Sequence, residues 1–388
     1  MQPPTPSKRI AALVATPNKQ NTGMRFVNDA LVLWLESLGA AKDTDFFQFE
    51  ASDLERPLRG GAPVRCVLDL DPDRYQVILI WGDFLLDRDW LRRVCARVAR
   101  ERSVAPAHVV EHAERVIFGA AGADAAQRIV VGQCFLVSDG AYEADVAYRE
   151  RFTRLAARAR FFRMRDPLSA ARARAFSGIS EAGAIGLDAA LLWPALRESD
   201  PDAARVPDRE GFGVFFGRTS GGFRTKLASV LAARAAKGAG RGVPLAWFPR
   251  RVPLGWLALA LGAGSAPLPS ELDEIAARLR RFRFVLTDTY HLALVCWSIG
   301  VPALCLGRGA QRFAHPIHDK KKEIFFQSQR LERFHFFAED GFATTYARVG
   351  SALREILAAS PGPSAARQIR AQARELLTAL NAAFALPR

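Results

Sequence analysis

Residues Phe284 to Gly307, FVLTDTYHLALVCWSIGVPALCLG, constrain the fold more than any other stretch of the chain. The apolar run Phe284, Val285, Leu286 reads as a short buried strand, and Thr287 and Asp288 are turn and N-cap types. The spacing predicts a helix from about Tyr290 to Ile299. Gly300 ends it, and Val301-Pro302 prevents its continuation because proline has no N–H to donate. Ala303 to Leu306 is a second buried strand. Strand, helix and strand in so short a span form a βαβ unit, and that unit requires a parallel sheet. His291 falls in the first turn of the helix, just past a strand end, where α/β folds place ligand chemistry. The same residues also fit a packed unit in which the histidine only caps.

The same alternation runs through the chain. Arg9 to Ala15 reads as a first strand, Thr16 to Gly23 as a polar turn, and Phe26 to Leu38 as a helix. Asn21 and Gly23 are placed to turn backbone N–H groups toward an anion at that helix start, although many βα turns contain Asn and Gly. Tyr75 to Trp81 is a strand ending in Trp81-Gly82-Asp83, followed by a helix from about Asp89 to Arg102. Arg115 to Gly119 and Arg128 to Gly132 read as two more strands, the second ending at Gly132-Gln133. A helix over Glu143 to Arg158 leads to the strand Arg160 to Arg165, then to Asp166 and a helix starting at Ser169. Glu181 to Asp188 fits a helix end followed by a short strand.

Arg197 to Gly211 is polar, with two prolines and many charges, and is the best linker. A second series follows: a strand at Gly213 to Gly217, the turn Arg218-Thr219-Ser220-Gly221-Gly222, a helix at Thr225 to Ala236, a strand at Val243 to Phe248, and a helix at Glu271 to Arg281. Beyond Gly307 lie a basic segment, Arg308 to Lys322, and helices at Glu323 to Arg330, Thr345 to Ala358 and Ser364 to Phe384. Two alternating halves predict an α/β protein of two Rossmann-like domains, residues 1–205 and 206–388, with a closing C-terminal helix. This is the arrangement of GT-B-type transferases, whose site lies between the strand ends of both halves. One doubly wound sheet with insertions is the alternative.

The chain has 388 residues, enough for two cores, and a net charge of +14. That surplus points to anionic partners: phosphates, acidic glycans or lipid head groups. Nucleic acid is not expected, because no aromatic-interleaved basic strand, zinc finger or helix-turn-helix pattern is present. The five cysteines form no CxxC pair and sit mostly in apolar runs, as reduced core residues do. The N-terminal apolar run is too short for a secretory signal, and the apolar stretch Leu254 to Ala266 is glycine-broken and shorter than a membrane span. These features predict a cytoplasmic protein and leave open peripheral attachment to the anionic inner face of a membrane.

Several landmarks occur in a recognisable order. They are Asn21 and Gly23; Gly82; Gly132-Gln133; Arg165-Asp166 with Ser169; Asp188; Arg218; and Thr287-Asp288 with His291, followed by Gly300-Val301-Pro302. In this order the chain resembles the polysaccharide pyruvyl transferase family, over about Asn21 to Lys322. The resemblance implies a GT-B-like fold and transfer of an enolpyruvyl group from phosphoenolpyruvate to a sugar hydroxyl of a surface-glycan intermediate. Phosphoenolpyruvate would be co-substrate, with no further cofactor and no metal, and the acceptor a sugar or lipid-linked glycan. The donor would be an anionic small molecule, suited to cations and helix N-termini. By the resemblance, His291 is the catalytic acid or a phosphate ligand. Arg218, Arg165 and Lys320, within the run Lys320-Lys321-Lys322, are donor contacts, and Asn21, Gly23, Gly82, Asp83 and Gln133 line the acceptor side or its turns. Solvated or structural roles fit Arg218, Arg165 and most of the lysine run as well.

The chain also departs from the family pattern. Thr289 stands where the family has an arginine, and Met24 replaces an acidic residue. A lost charge-assisted bond is worth about 1.5–3 kcal/mol. Arg308 or Arg312 would have to supply the missing charge, or the donor differs. Two other readings are therefore carried: a GT-B glycosyltransferase using a nucleotide sugar, and a non-catalytic glycan-binding relative.

Other constellations point nowhere further. His315, His318 and Asp319 are interrupted by Pro316, and a loop with anion contacts is the simpler reading. His108, Glu111 and His112 have the order H-V-V-E-H without other protease features, and read as a surface helix. Arg218 to Gly222 lacks the spacing of an ATP-binding loop.

Overall fold

A computed structural model describes residues 10–14, 21–49, 57–120, 126–135, 144–197, 209, 211–216, 232–236, 238, 240–247, 268–307, 317–337 and 341–384, apart from the side chains of 83, 317–319 and 342. The chain divides into two compact units. The first comprises Met1–Asn18, Met24–Leu196 and Ala373–Arg388, and the second Lys19–Gly23 and Arg197–Gln372. The expected linker lies mostly outside the described residues.

In the first unit, β1 (Ile10–Leu13), α1 (Thr22–Ser37), β2 (Thr44–Gln48), β3 (Val64–Cys66) and β4 (Val77–Asp83) are followed by α2 (Arg88–Arg102) and α3 (Pro106–Phe118). β5 (Gln127–Gln133), α4 (Val146–Arg158), β6 (Phe161–Met164), α5 (Pro167–Ser177) and α6 (Leu192–Arg197) complete it. The six strands are all parallel, in the order β3-β2-β1-β4-β5-β6, which is the doubly wound order with its switch point between β1 and β4. Both faces of the central strands are buried, so Ile10 to Leu13 and Val77 to Trp81 read as continuous apolar runs rather than alternating ones. One core gathers Ala11, Leu13, Ile78, Ile80 and Val130 against Leu91, Val98, Val116 and Phe152 of the helices. Aspartates start three of those helices. Asp87, Asp145 and Asp166 accept from the N–H groups of Trp90, Tyr148 and Ser169.

The strand expected at Arg115 to Gly119 is instead the end of α3. The local run Val116-Ile117-Phe118 looks like a strand. Val109, Ala113, Val116 and Ile117 however recur at helical spacing on one buried face, Pro106 opens the helix, and Gly119 closes it at φ 81°. The strand expected before Asp188 is reduced to a single bridge between Met164 and Ile185.

In the second unit, β7 (Phe212–Phe215), β8 (Gly242–Pro244), α7 (Leu272–Arg280), β9 (Phe284–Thr287), α8 (Tyr290–Ser298) and β10 (Ala303–Gly307) lead to α9 (Ile317–Ser328) and β11 (His335–Phe337). The chain ends in α10 (Phe342–Ala359) and α11 (Gly362–Phe384). The described sheet is parallel, in the order β11-β10-β9-β7-β8, and its order reverses between β7 and β9. All nine residues of α8 are buried, which is why its sequence is apolar on every side rather than along one stripe. Trp297 fixes the helix to the next strand by donating from Nε1 to the Ala303 carbonyl at 3.0 Å.

Candidate functional site

The expected site residues fall into two groups, one in each unit. In the second unit, β9 delivers Thr287 and Asp288 to the carboxyl edge of the sheet at its switch point, and α8 begins directly there. Thr287 Oγ1 accepts from the Thr289 N–H at 3.0 Å, which folds the turn tightly. The Thr289 hydroxyl donates to Asp288 Oδ1 at 3.1 Å and caps no amide of α8. Thr289 thus holds the turn instead of offering its hydroxyl outward. His291 sits in the first turn of α8, only 6% exposed, its ring centroid 5.1 Å from that of Tyr290.

Asn21 and Gly23 come to the same place. Asn21 Oδ1 accepts from the Gly23 N–H at 3.1 Å and caps the start of α1, whose first residue, Thr22, donates through Oγ1 to the Trp247 carbonyl. Gly23 lies against the His291 ring so closely that a side-chain carbon there would stand 2.6 Å from Cγ and 2.7 Å from Nδ1. Gly23, which belongs to the second unit, therefore abuts the imidazole in the first turn of α8. That turn carries the partial positive charge of a helix N-terminus.

The lysine run is arranged contrary to the expectation that most of it is solvated. Lys320, the member expected to contact a donor, is exposed and pairs with Glu323 at 3.4 Å. Lys321 and Lys322 are the buried pair. Lys321 Nζ stands 5.1 Å over the Tyr290 ring, and Lys322 Nζ donates to the Leu306 carbonyl at 3.3 Å. Phe325 also packs on Tyr290, edge to face. The signal that sequence reasoning missed is the spacing: Lys321 and Phe325, like Lys322 and Phe326, are four apart and share a helical face.

In the first unit, Gly82, Gln133 and Arg165 gather at the ends of β4, β5 and β6. Gly82 has φ 70°, and any side-chain carbon on it would stand 2.7 Å from Val27 Cγ1. Its carbonyl accepts from Gln133 Nε2 at 2.7 Å. Asp83 ends β4, and its side chain is outside the described set. Arg165 is closed off from solvent. Its guanidinium lies 3.6 Å from Asp166 and 3.7 Å from Asp188, reaches Cys134 Sγ at 2.8 Å, and stacks over Phe84. Asp166 and Asp188 in turn cap α5 and the turn at Ala190. Of the two roles expected for Arg165, anion binding or a structural turn, the two buried carboxylates beside its guanidinium fit the structural one. Arg218, Arg308 and Arg312 lie outside the described residues, as do His315 and the apolar stretch at 254–266.

Among the described residues no group of His, Cys, Asp and Glu side chains could hold a metal ion. His112 Nε2 is instead engaged by the Val67 carbonyl at 3.0 Å. No described helix is long and apolar enough to cross a membrane.

Comparison with protein-family models finds no match, and comparison with curated proteins finds none either. Solved structures do match over the full length. A Listeria monocytogenes protein assigned as a UDP-N-acetylglucosamine 2-epimerase has TM-score 0.54 and 12% identity, covering 97% of this chain and 96% of its own. A UDP-N-acetylglucosamine 2-epimerase has TM-score 0.52 and 11% identity, with 98% of each chain covered. HepE of Anabaena in complex with UDP has TM-score 0.52 and 8% identity, covering 96% of this chain and 98% of its own. Two parallel-sheet α/β domains with the expected C-terminal helix make this a GT-B-type fold.

Proposed function

We propose that this chain is a GT-B enzyme that binds a nucleotide sugar through its diphosphate at the Thr287–His291 turn and transfers the sugar to a glycan hydroxyl. The observation that carries the proposal lies within the second unit: Gly23 abuts His291 at the first turn of α8, and the buried Lys321 lies over the adjoining Tyr290 ring. Backbone N–H groups at helix starts favour an anion, and a lysine in a dry setting strengthens the attraction. Fold neighbours described as UDP-sugar epimerases, and one in complex with UDP, support a uridine nucleotide as the donor carrier. In such a transfer the C1–O bond to the diphosphate breaks as the acceptor oxygen bonds to C1. The acceptor proton must be taken, which an imidazole does well near neutral pH, and the leaving diphosphate gains charge that the α8 start stabilises.

The second reading is enolpyruvyl transfer from phosphoenolpyruvate, supported by the ordered landmarks that end at His291. Thr289 weakens that reading, since its hydroxyl is spent on Asp288 where the family carries an arginine. Thermal denaturation with UDP, UDP-N-acetylglucosamine and phosphoenolpyruvate separates the two. Stabilisation by the uridine ligands, lost in His291→Ala with the fold retained, is the expected result. Stabilisation by phosphoenolpyruvate alone overturns nucleotide-sugar use in favour of pyruvyl transfer. No response to any of the three, together with glycan binding, would leave a non-catalytic relative.

A further inference from the structure

The second unit holds a cavity of about 470 Å³ lined by Arg209, Arg283, Pro302, Ile356, Leu357 and Ser360. It lies at the edge of the sheet opposite His291. Arg283 immediately precedes β9 and Pro302 immediately precedes β10, whereas Asp288 and His291 follow β9. Parallel strands put those two ends on opposite edges.

Among the described residues the cavity presents two guanidinium groups and no acid. Arg209 spends one donor on the Gly300 carbonyl at 3.1 Å, and Arg283 spends Nε on the Arg209 carbonyl at 2.9 Å. Among the described residues neither faces a carboxylate. Burial holds the Arg209 guanidinium below its usual value. Beside the two cations stands the Ser360 hydroxyl, and the remaining wall is aliphatic: Pro302, Ile356 and the exposed Leu357. The volume is in the range of small-molecule pockets.

We propose that this cavity binds a small organic phosphate. The doubly charged head lies between Arg209 and Arg283, with Ser360 as a further donor, and an apolar body covers Pro302, Ile356 and Leu357. Two forked cations with unspent donors match a dianion better than a single carboxylate does. The aliphatic wall asks for a carbon substituent that inorganic phosphate lacks. A soluble phosphate monoester and a lipid phosphate head group share this chemistry.

Titration calorimetry and thermal denaturation on the whole chain test it with phenyl phosphate, inorganic phosphate and vesicles containing phosphatidic acid. The expected result is that phenyl phosphate stabilises the protein and binds about tenfold tighter than inorganic phosphate. Two substitutions at exposed positions probe the charge. Arg283→Gln removes one cation, and Ser360→Asp places a carboxylate between both, at a φ of 43° that aspartate tolerates. Ser360→Asp should raise the melting temperature of the free protein while weakening phenyl phosphate at least about tenfold. That pairing separates lost binding from lost folding. Vesicle binding that Ser360→Asp abolishes, without a response to phenyl phosphate, assigns the same head-group site to a lipid. Equal binding of inorganic and phenyl phosphate overturns the apolar half of the proposal. An absent response to all three, or one that Arg283→Gln and Ser360→Asp leave unchanged, overturns the whole. His291→Ala must leave the phenyl phosphate response intact, so this outcome is independent of the nucleotide-sugar reading.

Discussion

Gly23 is the residue against which the His291 ring rests: a side-chain carbon at position 23 would be 2.6 Å from Cγ of the imidazole. Gly23 has helical backbone geometry, and alanine is the better helix former by about 1 kcal/mol, yet the nearest atoms a side chain there would meet are those of His291. Gly23→Ala must therefore either push the ring away or strain the first turn of α1. We expect a modest loss of stability, about 1–3 kcal/mol by overpacking. Displacing a reacting group by about 1 Å costs about a hundredfold in turnover. Denaturant unfolding and UDP-sugar turnover measure the two effects. Unchanged values for both would mean that His291 needs no fixed position.

Lys321 and Lys320 are neighbours in sequence with opposite surroundings. Lys321→Met keeps the stem that packs beside Tyr290 and deletes the charge, and it should weaken UDP at least about tenfold, as expected for a lost charge-assisted contact. Lys320→Met breaks only an exposed pair with Glu323 and should change stability by at most about 1 kcal/mol, with UDP affinity unaltered. Calorimetric titration of both variants makes the comparison, and equal effects would remove Lys321 from the site.

Arg165 separates an architectural role from a ligand-binding one. Arg165→Met leaves Asp166 and Asp188 buried without their shared cation, a loss of about 3–5 kcal/mol in urea denaturation. An anion receptor would behave differently, with weaker ligand binding at nearly full stability.

Asp145 gives the fold an acid-sensitive joint. Burial pulls its carboxyl upward, but the Tyr148 N–H and the guanidinium groups of Arg88 and Arg92 outweigh that and hold it below the ordinary aspartate value. The folded protein therefore binds fewer protons here than the unfolded chain. The resulting stability is present above the unfolded value of about 3.9 and is lost as pH falls through the lower folded value. Asp145→Asn keeps the helix cap and removes the charge. The melting-temperature gap between wild type and Asp145→Asn should be constant from pH 7 to about pH 5 and close below about pH 4. A gap that persists at lower pH would show that the stabilisation does not come from the carboxylate charge.

The βαβ unit around His291 was legible because its information is local. Three apolar residues and Thr287 make the strand before His291, Gly300 and Pro302 fix the helix end, and α8 runs within a residue of its expected bounds. β2, β3 and β11 were not, since Thr44–Gln48, Val64–Cys66 and His335–Phe337 are too short to show a period and depend on neighbours distant in sequence. The site was half legible for the same reason. His291, Asn21 and Gly23 could each be picked from a turn pattern, but only folding shows that Gly23 touches His291, more than two hundred residues away. Burial decides what the sequence left open. Arg165, which fitted an anion site or a structural turn equally, is enclosed by carboxylates, while Lys321, expected in a mostly solvated run, lies over an aromatic ring.

The C-terminal helix offers the last test. α11 starts in the second unit and ends in the first, where Asn381 Oδ1 accepts the indole N–H of Trp34 at 2.8 Å and Phe384 packs edge-on to the same ring. Trp34 is fully buried and stacks on Trp81, so its N–H has no solvent to turn to when Asn381 is removed. Asn381→Ala should cost about 1–3 kcal/mol, the penalty of an unsatisfied buried donor. Asn381→Asp preserves an acceptor at the same reach and should recover most of that loss in a denaturant titration followed by tryptophan fluorescence. If alanine and aspartate behave alike, the hydrogen bond does not fasten the helix, and apolar contacts such as Phe384 on Trp34 hold it alone.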